Sequence, residues 1–169
     1  MLRILDITAP DINNGNGIRV TLWVSGCKHH CKGCHNQWTW NFDQGKYFTY
    51  NQDEILNRLS DWLSRDYVQG ITLSGGDPLC QDNDGLREIY QLIQWIRNNY
   101  PKKDIWLYTG YVKEDIENSG SHMQKKIIES IDVLVDGPYK EELRDIAHTP
   151  FRGSKNQRII YMNKNNEKD

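Results

Sequence analysis

Cys27, Cys31 and Cys34 fall within eight residues, directly after the apolar run Val20-Thr21-Leu22-Trp23-Val24. Thiolates are soft, anionic donors suited to zinc and to iron bridged by sulfide. A structural zinc, or a [4Fe-4S] cluster that only carries electrons, normally has all four positions filled by protein ligands. A triplet leaves one position open, as catalytic metal sites do. Two chemistries therefore compete at this point. The thiolates hold three corners of an iron-sulfur cluster and leave one iron free, or they bind zinc with His29, His30 or His35 as the fourth ligand. Cys80 lies apart from the triplet and reads as a packed free thiol.

A second signal stands about forty residues further on, where Ser74-Gly75-Gly76-Asp77-Pro78 ends the apolar run Ile71-Thr72-Leu73. Two glycines give the backbone conformations closed to other residues and let a ligand come close. Alone, the segment is equally a tight turn before a helix. In this order and together, triplet and turn resemble the radical S-adenosylmethionine (SAM) enzymes. The resemblance implies a [4Fe-4S] cluster on Cys27, Cys31 and Cys34 whose free iron is chelated by SAM. One-electron cleavage of SAM would then yield a 5'-deoxyadenosyl radical. Gly75 and Gly76, with Asp77, would position the methionyl part.

Longer stretches narrow the likeness. The run from Asn14 to Cys27 and the continuation Cys34-His35-Asn36 resemble the activases of glycyl radical enzymes. Leu107 to Tyr111, Val133 to Tyr139 and Arg152 to Arg158 are similar to the activases of anaerobic (class III) ribonucleotide reductase. What this implies is hydrogen abstraction from a glycine of the large subunit of that reductase, with a low-potential reductant such as flavodoxin. Gly33, His35 and Asn36 would lie beside the cofactor, while Thr109 and Asp136, at later strand ends, would reach the ribose or carboxylate. Asp136 also reads as a plain turn aspartate before Gly137-Pro138. Many radical SAM proteins place an aromatic residue where this chain has Gly33, so adenine must be met elsewhere. Trp38 and Trp40 offer stacking faces, although packing against a neighbouring helix is the ordinary use of such residues. Activation of a pyruvate formate-lyase type enzyme, small-molecule radical synthesis and a non-catalytic zinc module remain alternatives.

These residues need a scaffold that the rest of the chain must supply. With 169 residues the chain suffices for one domain with a true core, expected over residues 1–162 with a polar tail at 163–169. A formal charge of −2 gives no electrostatic case for nucleic acid or an anionic membrane. Neither a bilayer-spanning apolar segment nor a charged-then-apolar secretory pattern is visible, so a cytoplasmic enzyme with reduced thiols is expected.

Strands are expected at 2–8, 18–25, 71–73, 105–108, 133–135 and 158–162. Helices are expected at about 52–65, with Asn51 and Glu54 as a cap pattern, through the Leu86, Ile89, Ile93, Ile96 stripe to Asn99, and at 123–130. This alternation predicts an α/β fold of mainly parallel strands with outer helices. A closed eightfold barrel takes about 250 residues, so an open, partial (β/α) barrel of the radical SAM type is the consistent solution. Ligands should gather at the carboxyl ends of its strands.

Overall fold

A computed structural model describes residues 1–48, 53–145 and 147–162. The elements run β1 (Arg3–Asp11), β2 (Ile18–Val24), β3 (Lys46–Tyr47), α1 (Asp53–Leu63), β4 (Val68–Gly75), α2 (Asn83–Asn99), β5 (Asp104–Tyr108), α3 (Lys113–Ser119), α4 (His122–Glu129), β6 (Val133–Asp136) and β7 (Arg158–Tyr161). The strands form one seven-stranded sheet in the order β3-β1-β2-β4-β5-β6-β7. Its centre, β2-β4-β5-β6, is parallel, and the flanks β3-β1-β2 and β6-β7 are antiparallel. Among the described residues the end strands β3 and β7 do not pair with each other, so the barrel is open.

Alternation along each strand separates two faces. Val20, Leu22 and Val24 of β2, Ile71 and Leu73 of β4, Ile105 and Leu107 of β5 and Leu134 of β6 join the main aliphatic core with the helices. The opposite face carries Arg19, Thr21, Thr72 and Ser74, all buried, and the aromatic cluster of Trp106 with Val133 and Val135. Outer helices thus cover an apolar surface, and the inner wall of the half-barrel is polar and aromatic.

The helices start and stop where local chemistry tells them to. Asp82 caps α2 by accepting from Gly85 N at 2.7 Å, and Leu86, Ile89, Ile93 and Ile96 turn one stripe inward. Ser121 and Gln124 form a reciprocal capping box on α4. Of the expected cap on the first helix, Asn51 lies outside the described residues, as does the tail at 163–169. The expected strands and helices are all present. Two elements, β3 and α3, were not expected; β3 has two residues, and α3 buries only Ile116, too little for a periodic stripe.

Candidate active site at the strand ends

Four parallel strands end in loops that are tied to one another by backbone. Gly76 N donates to Val24 O and Asp77 N to Gly26 O, each at 2.8 Å, which joins the turn after β4 to the start of the cysteine loop. Thr109 N donates to Val135 O at 2.9 Å and Gly137 N to Tyr111 O at 2.8 Å, which does the same for β5 and β6. The first junction explains both glycines of the turn. Gly75 has φ +111°, and a Cβ on Gly76 would stand 2.3 Å from Gly26 O.

Above these ends lies a cavity of about 620 Å³, within the usual range for small-molecule sites. All three triplet cysteines line it, together with His35, Asn36, Gly75, Gly76 and Thr109. Two signals about forty residues apart in the chain therefore open into one space. Gly33, Asp77 and Asp136 are not on its wall. Gly33 takes φ +72° and packs against the Glu141 side chain. Asp136 is buried and accepts from Lys113 N at 2.7 Å and from Arg158 Nε at 2.9 Å, so it anchors α3 and β7. Asp77 is 1% exposed and its carboxylate is engaged by protein donors. Thr109 reaches the cavity, but its hydroxyl donates to Asp77 at 2.9 Å.

The donor set fits an iron-sulfur cluster better than one zinc ion. Of the candidate fourth ligands, His29 Nε2 is 2.7 Å from Asp77 Oδ2, and His30 lies flat on Trp40 at 4.7 Å. His35 tilts onto Tyr139 at 5.3 Å. Among the described residues no three His, Cys, Asp or Glu side chains close on a single ion, as zinc would require. A cubane asks for no such closure, because each thiolate takes a different iron. Backbone N–H groups already face the sulfurs. Asn36 N donates to Cys34 Sγ at 3.4 Å, and the backbone of His29 and His30 beside Cys27, and of Tyr139 beside Cys31, favours the thiolate of each.

Burial pushes the Cys27 thiol up to about 12 and that of Cys31 upward from its ordinary value. Without metal these thiols are protonated at neutral pH, so loading releases protons. All four cysteines are free, and Cys80 is buried outside the cavity wall.

Several cavity residues were given no role from the sequence, although Tyr108, Tyr139 and Arg152 lie in the segments that carry the resemblance. Tyr139 Oη and Arg152 Nε are buried polar atoms with no protein partner, and both residues line the cavity. A buried N–H or O–H without a partner is costly, so this wall suits a ligand rich in hydrogen-bonding groups, as SAM is. Trp23, Tyr108 and Phe151 add aromatic surface. Trp40 is on the wall and stacked on His30, whereas Trp38 is half exposed beside Trp23. The loop after the triplet folds back along Gly26 and Cys27, whose N–H groups donate to Thr39 O and Trp40 O, and so brings Trp40 to the cavity wall.

Comparison with known proteins agrees with this geometry. Residues 13–160 match the model of the 4Fe-4S single cluster domain family. The chain belongs to that family. It is 44% identical over 149 residues to the anaerobic ribonucleoside-triphosphate reductase-activating protein of Enterobacteria phage T4, covering 88% of this chain and 87% of the relative. The Escherichia coli K12 protein of the same description is 43% identical over 153 residues, with 90% and 94% covered. That of Vibrio cholerae is 43% identical over 150 residues, with 88% and 91% covered. The 4Fe-4S family match spans the cysteine loop and the Gly75-Gly76 turn and reaches into β7.

Proposed function

We propose that Cys27, Cys31 and Cys34 each hold one iron of a [4Fe-4S] cluster, and that the remaining iron takes SAM in the cavity above the strand ends. The chain is a radical SAM activating enzyme, and its protein substrate is the large subunit of an anaerobic ribonucleotide reductase. When bound, cluster and SAM supply the one-electron cleavage that lets a glycine hydrogen be removed. The chain's own residues do the rest. Gly75 and Gly76 bring backbone close to the methionyl part, Asn36 donates its N–H to the Cys34 sulfur, and Arg152 with Tyr139 Oη offers polar contacts to SAM. His35 and Thr109 flank it, and Asp136 acts behind the wall by holding Arg158 and α3.

The carrying observation is that a three-thiolate loop and a Gly-Gly strand-end turn share one cavity in a chain of the 4Fe-4S family. Openness between β3 and β7 supports a macromolecular substrate, since a sealed barrel would exclude a polypeptide loop. No described helix is long and apolar enough to cross a membrane. The free thiols suit a reducing compartment, and we propose a cytoplasmic enzyme that takes its electron from a low-potential reductant such as flavodoxin.

Anaerobic incubation with the reductase large subunit, SAM and a reductant tests the reading. A glycyl radical doublet should appear on the reductase in electron paramagnetic resonance. A cluster-loaded preparation that cleaves SAM but never yields that doublet would overturn the partner assignment.

A further inference from the structure

The Asp77 carboxylate does not reach the cavity, yet four protein groups engage it. Its Oδ1 accepts from Leu79 N at 2.8 Å. Its Oδ2 accepts from Thr109 Oγ1 at 2.9 Å and from Gly110 N at 2.9 Å, and lies 2.7 Å from His29 Nε2. One buried group thereby joins the turn after β4, the end of β5 and the cysteine loop. His29 sits midway between Cys27 and Cys31. The His29 ring packs so closely on Gly110 that a Cβ there would stand 2.5 Å from it, and the edge of Tyr111 closes the other side at 4.6 Å.

The neighbours of His29 are fixed as well. Lys28 N donates to Cys80 Sγ at 3.2 Å, and His30 is stacked on Trp40. All three residues between the first two thiolates are thus held, Lys28 and His29 by the turn after β4 and His30 by Trp40. A loop ordered in advance loses little conformational entropy when its thiolates are ligated, and groups behind the ligands commonly change metal affinity by about 10–100-fold.

We propose that Asp77 and His29 are a positioning pair: Asp77 does not contact the cofactor but locks the cysteine loop to the Gly75-Gly76 turn. The pair sets the register between the open iron and the backbone that receives the methionyl group. This rests on the cluster reading above. It also predicts that damage to the pair shows first in the cluster.

The experiment follows iron release to a chelator from the anaerobically loaded full chain, with and without SAM. His29→Ala should release iron at least about tenfold faster, whereas His29→Gln, whose amide N–H still reaches Asp77, should stay within about threefold of the parent. Gly110→Ala, which pushes on the His29 ring without deleting it, should behave like His29→Ala. The spectrum of the reduced cluster on adding SAM should change in His29→Ala and return in His29→Gln, which a simple loss of fold stability does not produce. Parent-like release in both His29→Ala and Gly110→Ala, or equal release from His29→Ala and His29→Gln, would overturn the proposal. A parent protein that keeps its cluster but forms no glycyl radical would sink only the functional reading.

Discussion

Arg19 Nη2 meets Asp104 Oδ1 at 2.5 Å beneath β4, linking β2 to the first residue of β5 at the end of the half-barrel away from the cysteines. The Arg19 side chain is fully buried while that of Asp104 is 40% exposed. Its other donors serve Thr72 Oγ1 and Ile71 O at 2.9 Å and Asn16 O at 3.0 Å. The guanidinium is therefore the polar floor of the inner face and replaces the side-chain packing a closed barrel would have. Arg19→Met strips donors from buried oxygens, and we expect a loss of about 3 kcal/mol in urea unfolding. Iron bound per folded chain should stay at the parent value, because Cys27 lies beyond the far end of β2.

Asp11 fastens the loop that follows β1. Its carboxylate accepts from Thr21 Oγ1 and Asn14 Nδ2 at 2.6 Å and from Asn13 N at 2.7 Å. Burial pushes its pKa up, but the hydrogen bonds from Thr21, Asn13 and Asn14 together outweigh it and hold the carboxyl below its ordinary 3.8. A depressed folded-state pKa stabilises the protein above the unfolded value of about 3.9 and loses that contribution as pH falls through the folded one. Asp11→Asn should cost about 1–2 kcal/mol at pH 7. The gap between parent and variant in thermal midpoint should narrow below about pH 4. A gap that widens in acid would contradict this sign.

Cysteine chemistry separates into two kinds that substitution can tell apart. Cys27, Cys31 and Cys34 line the cavity, whereas Cys80 is buried behind the loop and accepts from Lys28 N. Alanine at any of the triplet positions should abolish the brown oxygen-sensitive chromophore and the activity with it. Cys80→Ser, whose hydroxyl also accepts from Lys28 N, should keep the parent iron and sulfide content. Iron and sulfide assays on anaerobically reconstituted protein decide this, and loss of the cluster in Cys80→Ser would make Cys80 a ligand.

Much of this was legible in the chain because it rests on local rules. Period-two alternation in Val20 to Val24 and the Ile89, Ile93, Ile96 stripe report burial directly, and the ends of β2 and β4 carry their chemistry within a few residues. What stayed hidden depends on contacts across the sheet. Asp77, next to Gly76, looks like a ligand contact in sequence, yet its carboxylate turns to Gly110, 33 residues away. Asp136 likewise answers to Arg158, 22 residues on. Arg152 lies in a stretch without periodicity, and only the fold of the segment before β7 brings it to the cavity. His29 stood in the sequence as a possible fourth ligand to zinc, because nothing in its own neighbourhood names Asp77 as its partner.

Arg152 gives the sharpest test of how SAM is held. Nη1 donates to Gln157 O at 3.2 Å, which fixes the guanidinium, while Nε is buried without a protein acceptor. No acidic side chain among the described residues pairs with it. A fixed cation with a free N–H on a cavity wall favours an anionic or strongly accepting group, and the methionyl carboxylate is the one SAM carries. A charge-assisted hydrogen bond contributes about 1.5–3 kcal/mol, so Arg152→Leu should weaken SAM binding roughly ten- to hundredfold. Cluster content should be unchanged, since Arg152 stands apart from the thiolates in the chain and fills no ligand position. Arg152→Lys should recover only part of the affinity, because an ammonium keeps the charge but not the fork that reaches Gln157 and ligand together. Equilibrium dialysis of labelled SAM against the anaerobically loaded proteins reads all three variants on one scale, and parent-like affinity in Arg152→Leu would move this residue from cofactor binding to the rim that meets the reductase.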